Sequence, residues 1–250
     1  MIYFYICDNL SGLILKLRPL HTDIENQYLM NLTNKLKELL WQSFGTPSHP
    51  AEWDGMVYGG GKISQRFWEY FMAIEMLGLT KDSILLDIGG GSPATGLSIF
   101  PKLIAELGVQ LVVVDQDFGV TENSTHENVT LERCLADQET LSHIIKKHSP
   151  THISCISVLE HASYSQQQGI FQAIDNFFNG EKAVFTFEFH ETICHFEQQL
   201  TTQTLSECAS LLKRFYLNRI KRSPLNCVNS INNTTRLWYP LAVQFERNSP

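Results

Sequence analysis

The segment of residues 84–96 constrains the fold of this 250-residue chain more than any other. It reads Ile-Leu-Leu-Asp-Ile-Gly-Gly-Gly-Ser-Pro-Ala-Thr-Gly, an apolar run that leads into consecutive glycines. The apolar run predicts a buried strand, and the glycines predict a turn whose backbone can approach a bound group closely. Ser92 suits the cap of a following helix, and Pro93 suits its first turn. Because open α/β sheets bind ligands at this end of their strands, we expect a ligand on this turn.

After residue 78, short apolar runs alternate with amphipathic stretches, which predicts strands joined by helices. The expected strands are residues 84–88, 110–114, 153–158 and 183–187, and the expected helices are residues 93–107, 138–147 and 166–178. Strands that are apolar on both faces are typical of a parallel sheet covered by helices. Pro101 predicts a kink or break in the first of these helices. The last third of the chain predicts a helix at 205–220 and a late edge strand at 237–245.

Two helices precede the glycine segment. The first is amphipathic and spans residues 22–45, an irregular loop follows at 46–61, and the second helix runs from Ser64 to Gly78. A glycine suits the left-handed end of that second helix. We therefore predict an α/β fold, a doubly wound and mostly parallel sheet at residues 64–250, with an N-terminal helical cap at residues 1–63.

The composition favours a cytoplasmic protein with a small partner. The chain has 19 basic and 26 acidic side chains and a net charge of -7, whereas nucleic-acid binders usually carry a basic excess. Its six cysteines include no C-x-x-C pair, which predicts neither a zinc site nor a disulfide framework. No apolar run approaches the roughly 18 residues of a membrane-spanning helix, and no signal segment is apparent.

The glycine segment is compatible with two nucleotide cofactors. Its Gly-x-Gly-x-x-Ala pattern from Gly89 also fits the dinucleotide fingerprint, and Asp115 follows at nearly the distance expected of a ribose-binding acid. Asp87, at the strand end just before the glycines, favours S-adenosylmethionine over a dinucleotide, because an acid suits a cationic group. S-adenosylmethionine carries both an ammonium and a sulfonium group.

The order of four motifs resembles that of class I S-adenosylmethionine-dependent methyltransferases. The motifs are Asp-Ile-Gly-Gly-Gly at 87–91, Val-Val-Val-Asp at 112–115, Leu-Ala-Asp at 135–137 and Ser-Val-Leu-Glu-His at 157–161. The resemblance covers roughly residues 63–189 and implies a Rossmann-like fold. The Arg-Phe-Trp-Glu-Tyr stretch at 66–70 is similar to a subset of the family that has Ser-Pro after its glycines. One departure is Pro93, which stands where a third glycine is frequent.

The resemblance implies a cofactor site formed by Asp87, Gly89, Gly90, Gly91, Asp115 and Asp137. Gly89 and Gly91 would pass under the methionine and ribose parts, while Asp87 would hold the loop and help to place the ammonium group. Asp115 would accept hydrogen bonds from both ribose hydroxyls, and Asp137 would meet the adenine amino group. Two alternatives stay open: Asp115 is simply an acid at a strand end, or Asp137 caps the helix that begins at residue 138.

The catalytic residues are harder to predict, because methyl transfer needs a base only when the acceptor must lose a proton. His161 follows the fourth strand, beside the expected methyl group, and a histidine there suits the role of a base, with Glu160 adjacent. An ordinary loop histidine is the alternative. The predicted acceptor pocket adds residues from the N-terminal segment and the fifth strand: Trp53, Tyr58, Arg66, Glu188 and His190.

Two further patterns have mainly structural interpretations. The His-Glu-x-x-x-His spacing at 190–195 differs from the zinc-protease motif, and residues five apart do not share a helix face, so we predict no metal. The basic run at 213–222 contains aromatic residues and suggests RNA contact, although a solvated helix face fits an acidic protein better.

The sequence therefore predicts an S-adenosylmethionine-dependent methyltransferase that acts on a small molecule or glycan. The alternatives are an NAD-dependent oxidoreductase with a similar glycine loop, a binding module that keeps the cofactor fold without catalysis, and an RNA methyltransferase.

Overall fold

The computed structural model describes residues 62–92, 96–116, 126–190, 202–223, 227–231 and 234–248. The predictions for the N-terminal cap, including the helix at 22–45 and the pocket residues Trp53 and Tyr58, lie outside these ranges. Within them, no helix is both long and apolar enough to span a membrane.

Five helices and ten strands lie in the described part of the chain. The helices are α1 (Lys62–Leu77), α2 (Ile99–Glu106), α3 (Gln138–His148), α4 (Tyr164–Phe177) and α5 (Thr202–Ala209). The strands are β1 (Ile84–Ile88), β2 (Gly91–Ser92), β3 (Gly96–Leu97), β4 (Gln110–Asp115), β5 (Val129–Arg133), β6 (His152–Ile156), β7 (Lys182–His190), β8 (Phe215–Arg222), β9 (Cys227–Ile231) and β10 (Thr234–Arg247).

The main sheet has the strand order β5-β4-β1-β6-β7-β10-β8, and β9 also pairs with β10. Five neighbouring strands are mutually parallel, namely β5, β4, β1, β6 and β7. Strand β10 runs antiparallel to β7, β8 and β9. The predicted mostly parallel sheet is confirmed. Its parallel strands all end at one edge, where β1 leads into the glycines.

Helices cover both faces of the sheet, so the predicted doubly wound architecture is also confirmed. On one face, apolar side chains of α3 and α4 form a continuous core with the strands, and the Phe171 and Phe185 rings stack with centroids 4.9 Å apart. On the other face, α1 packs on β6, β7 and β10, and α2 packs on β4. Asp87 and Ser154 lie side by side on β1 and β6 and are not part of the apolar cluster on the first face.

The helix predicted at 93–107 begins later, at Ile99. Gly91–Ser92 pairs with Gly96–Leu97 as a short antiparallel ladder, so the expected helix start at Ser92 and Pro93 is wrong. The expected break at Pro101 is wrong for the same reason. With the helix starting at Ile99, Pro101 falls in the first turn, where backbone N–H groups have no partner within the helix and a proline fits.

The C-terminal prediction needs two corrections. Residues 205–220 are not one helix: α5 ends at Ala209, and β8 begins at Phe215, so the basic run at 213–222 lies largely on a strand at the sheet edge. Tyr216, Leu217 and Ile220 on that strand are exposed. The strand predicted at 237–245 is not an edge strand, because β10 lies between β7 and β8.

Candidate active site

Asp87 is a buried carboxylate near the end of β1. Only 2% of its surface is exposed, and the Ser154 hydroxyl on the neighbouring strand β6 donates to its Oδ1 at 2.6 Å. Burial raises the pKa of Asp87 from 3.8 to about 7, the Ser154 hydrogen bond opposes that rise, and the nearby Asp115 charge adds to it. Asp87 is therefore an acid whose ionised form needs a positive partner.

The glycine loop lies close against its surroundings. Gly89 has a φ of +78°, and its N–H donates to the Val114 carbonyl at 2.7 Å. A Cβ atom at Gly89 would overlap the side chain of Val158, and one at Gly90 would overlap the carboxylate of Asp87. Both positions require glycine because a larger side chain would clash with its neighbours. Gly89 requires it also because its positive φ is unfavourable for other residues.

Asp115, at the end of β4, contacts the same loop. Its Oδ2 accepts a hydrogen bond from the Gly91 N–H at 3.0 Å. The structure thus brings Asp87, the glycines and Asp115 together, as the motif order predicted. The ribose contact expected of Asp115 stays a prediction.

Ser157 follows β6 and adopts an unusual backbone conformation. Its φ is +50°, in the left-handed region that residues other than glycine seldom adopt. Its N–H donates to the Thr186 carbonyl at 2.8 Å, and its hydroxyl donates to Glu69 Oε1 at 2.7 Å. Glu69 lies on α1 and is fully buried. The chain turns sharply here and is held to both β7 and α1.

These features surround a cavity of about 290 Å³. Its lining consists of Tyr70, Asp87, Ile88, Gly89, Gly90, Gly91, Ser98, Phe100, Ile156, Ser157 and His161. The Tyr70 and Phe100 rings, with centroids 5.7 Å apart, supply an apolar wall. No Lys or Arg belongs to the described residues of this lining, so the cavity combines a buried acid with backbone polar groups.

Sequence reasoning missed Glu69 and Ser157, although both fall within quoted motifs. Glu69 lies in the Arg-Phe-Trp-Glu-Tyr stretch, from which the predicted acceptor pocket includes only Arg66. A glutamate within a largely apolar helix stretch was the available indication, because a buried carboxylate requires a polar partner. Nothing in the local pattern identified that partner as Ser157.

His161 lines the cavity from a 3-10 turn at Leu159–His161, and its side chain is largely exposed. Glu160, on the same turn, accepts a 3.4 Å hydrogen bond from the Glu188 N–H of β7. Glu160 and Glu188 are thus close to each other, although neither lines the cavity. The side chains of Arg66 and His190 lie outside the described part of the structure.

Asp137 is the N-cap of α3. Its Oδ1 accepts hydrogen bonds from the Thr140 N–H at 2.9 Å and from the Thr140 hydroxyl at 2.8 Å, and these bonds lower the pKa of Asp137. The helix-cap alternative for this residue is therefore confirmed. Asp137 does not line the cavity, and its contact with adenine stays a prediction.

No protein-family model matches the chain, and a search by sequence finds no matching curated protein. Solved structures do match. An S-adenosylmethionine-dependent methyltransferase from Anabaena variabilis has a TM-score of 0.52 at 10% identity, over 88% of this chain and 95% of that one. A geranyl diphosphate C-methyltransferase from Streptomyces coelicolor, in complex with S-adenosylhomocysteine, has a TM-score of 0.51 at 12% identity, over 82% and 86%.

A magnesium protoporphyrin IX methyltransferase from Synechocystis, with bound S-adenosylhomocysteine, has a TM-score of 0.50 at 11% identity, over 84% of this chain and 93% of that one. At such identities the likeness is one of fold. The chain has the Rossmann-like fold of class I S-adenosylmethionine-dependent methyltransferases, as the motif order predicted.

Proposed function

We propose that this chain transfers the methyl group of S-adenosylmethionine to a small molecule or glycan. One observation carries the proposal. A cavity at the carboxyl ends of β1 and β6 contains the buried carboxylate of Asp87 beside the glycine loop, and its described lining includes no Lys or Arg. Removing a carboxylate from water is unfavourable unless a partner compensates for it. A cofactor with an ammonium and a sulfonium group is such a partner.

The same observation counts against the nicotinamide alternative. The pyrophosphate of NAD is anionic, and at this loop it would lie close to Asp87. The sheet offers a second argument, because β10 is inserted antiparallel between β7 and β8, whereas dinucleotide-binding domains have the strand order 3-2-1-4-5-6.

The residues that would hold the cofactor are those already brought together by the structure. Asp87 and the Gly89–Gly91 backbone would bind its amino-acid end, and Asp115 would receive the ribose. Tyr70 and Phe100 would exclude water from the reacting groups. The bound cofactor supplies a methyl carbon that is already activated by the sulfonium, so positioning provides much of the rate.

His161 is the residue best placed to accept a proton from the methyl acceptor. It lines the cavity from the turn after β6 and is also exposed to solvent. We propose that the acceptor approaches from this side, between residues 53–66 and the ends of β6 and β7. The pocket would then involve Trp53, Tyr58, Arg66, Glu188 and His190.

A thermal-shift panel tests the proposed cofactor. Ligands that bind only the folded state raise the unfolding midpoint, by about 5 °C or more for a chain of this size at 100 times the Kd. We expect S-adenosylmethionine and S-adenosylhomocysteine to raise the midpoint, and NAD and NADP to leave it unchanged. Stabilisation by NAD alone would establish the oxidoreductase alternative. Stabilisation by S-adenosylhomocysteine without turnover on any acceptor would favour the binding module.

A further inference from the structure

A second buried acid reaches the candidate site through a single serine. Glu69 on α1 does not line the cavity, but Ser157 does, and the Ser157 hydroxyl donates to Glu69 Oε1 at 2.7 Å. We infer that Glu69, acting through Ser157, makes this end of the cavity select ligands that carry a cationic amino group. The inference rests on the proposed function, since it assigns the amino-acid end of the cofactor to this serine.

Ser157 has a single hydroxyl proton, and the use of that proton determines which ligand groups the residue can bind. A hydroxyl has one proton and two acceptor lone pairs, and the only proton of Ser157 is used in the bond to Glu69. Its oxygen therefore offers the cavity lone pairs alone. An ammonium group has three donors and no acceptor, so it matches this oxygen, whereas a carboxylate or phosphate oxygen does not. A carboxylate behind the serine strengthens the preference, because hydrogen bonds in a chain polarise one another.

A second serine, on β6, also donates to a buried acid. Ser154 uses its proton in the 2.6 Å bond to Asp87, and Asp87 itself lines the cavity. Asp87 pairs in register with Ser154, and Ser157 follows three residues later, directly after the end of β6. Two buried carboxylates thus act on one end of the cavity, one directly and one through a hydroxyl.

Ser157 is held in this orientation before any ligand arrives. Its N–H is bonded to the Thr186 carbonyl, its hydroxyl is bonded to Glu69, and its φ is +50°. A left-handed non-glycine residue persists where the surrounding contacts determine it, and such residues are frequent at ligand sites. Ligand binding therefore requires little reorganisation here, and α1 becomes part of the specificity of the site through Glu69.

The test compares two ligands by isothermal titration calorimetry on the full chain. One is S-adenosylhomocysteine, and the other is its analogue that lacks only the amino group. The variants are Glu69→Gln, which keeps the side-chain shape, and Ser157→Gly, which removes the hydroxyl while glycine tolerates the left-handed backbone. Glu132→Gln is the matched control, because Glu132 pairs with Lys147 and His148 on the far edge of the sheet.

We expect Ser157→Gly to weaken S-adenosylhomocysteine binding about 10- to 100-fold, the usual effect of losing a hydrogen bond to a charged group. Glu69→Gln should weaken the same binding by a smaller factor, because the Ser157 oxygen remains and only the charge behind it is removed. Both variants should bind the deaminated analogue within about twofold of wild type, since an independent contact is unaffected. Glu132→Gln should match wild type for both ligands. If Glu69→Gln fails to fold, Ser157→Gly decides the outcome.

Two results would contradict this inference while leaving the proposed function intact. In the first, the variants bind S-adenosylhomocysteine as tightly as wild type does. In the second, the variants lose affinity for both ligands equally, which would show that Glu69 and Ser157 have only a structural role. A wild-type protein that binds neither ligand would instead overturn the proposed function, and the inference with it.

Discussion

At the scale of single residues, Asp87 should govern how the stability of the ligand-free protein depends on pH. Its folded-state pKa of about 7 exceeds the unfolded value of 3.8, so between these values the folded state binds more protons. Stability from this group is therefore full below about pH 4 and is lost as the pH rises towards 7. In urea denaturation, Asp87→Asn should match the stability of wild type near pH 4 and exceed it by about 4 kcal/mol near pH 8, since each pKa unit of the shift corresponds to about 1.4 kcal/mol.

The affinity for the cofactor should increase with pH, whereas the stability of the ligand-free protein decreases, because both depend on the ionisation of Asp87. An ammonium group binds the ionised carboxylate, so the affinity of wild type for S-adenosylhomocysteine should rise up to about tenfold per pH unit until the pH passes about 7. Asp87→Asn should bind more weakly and lose this dependence in calorimetry over the same pH range. A pH dependence that persists in Asp87→Asn would assign the titration to another group.

His161 provides a second residue-level prediction, which concerns the reaction. If His161 accepts the proton of the acceptor, His161→Gln should lower kcat by about 100-fold or more, the usual size of a lost proton-transfer group. Its affinity for S-adenosylhomocysteine should stay near that of wild type, because other residues hold the cofactor. Once an acceptor is identified, full activity of His161→Gln would exclude the role of a base.

At the scale of elements, the glycine loop can be tested against a matched turn. Gly89 and Gly108 have φ values of +78° and +75°, but a Cβ at Gly89 would overlap Val158, whereas nothing lies within 4 Å of one at Gly108. Both alanine variants should lose about 1 kcal/mol for the left-handed backbone. Gly89→Ala should lose about 1 to 3 kcal/mol more from overpacking. Denaturant unfolding of both variants measures the difference.

A double variant separates the two contributions at Gly89. Val158→Ala removes the two methyl groups that the new Cβ would meet, so Gly89→Ala combined with Val158→Ala should recover part of the added loss. Equal destabilisation of Gly89→Ala and Gly108→Ala would show that the backbone conformation alone requires glycine in the loop.

The elements differ in how far local pattern predicted them. β1 matches its predicted bounds, 84–88, because a fully buried strand is a continuous apolar run bounded by turn residues. β5 was not among the predicted runs: it is an edge strand whose residues are half-buried or exposed. The sequence of β8 predicts a helix instead, since only Phe215 of that strand is buried and no alternating apolar face marks it as a strand.

At the scale of the whole molecule, the division between cofactor site and acceptor site can be tested by deletion. The structure places Glu69 on α1, which begins at Lys62, so a chain that lacks residues 1–61 keeps every described residue of the candidate cofactor site. We expect this chain to bind S-adenosylhomocysteine and to lose turnover by about 100-fold or more, because a misplaced acceptor reacts slowly. If the shortened chain folds but no longer binds the cofactor, residues 1–61 belong to the cofactor site.

The sequence by itself determined the fold class and the place of the candidate site. Apolar runs, glycines and the acids at strand ends are local patterns, and backbone geometry converts them directly into buried strands and a turn at the carboxyl edge of a parallel sheet. Asp87, the glycine loop and Asp115 were therefore predictable.

The tertiary structure decided what depends on distant segments. The Ser157–Glu69 bond joins residues 88 positions apart, β10 enters the sheet between β7 and β8, and α2 begins only after β2 and β3 have paired. These three features depend on which polar groups and strand edges come into contact when the chain folds. Local periodicity cannot predict such contacts, because a hydrogen bond between distant residues produces no repeating pattern in the sequence around either residue.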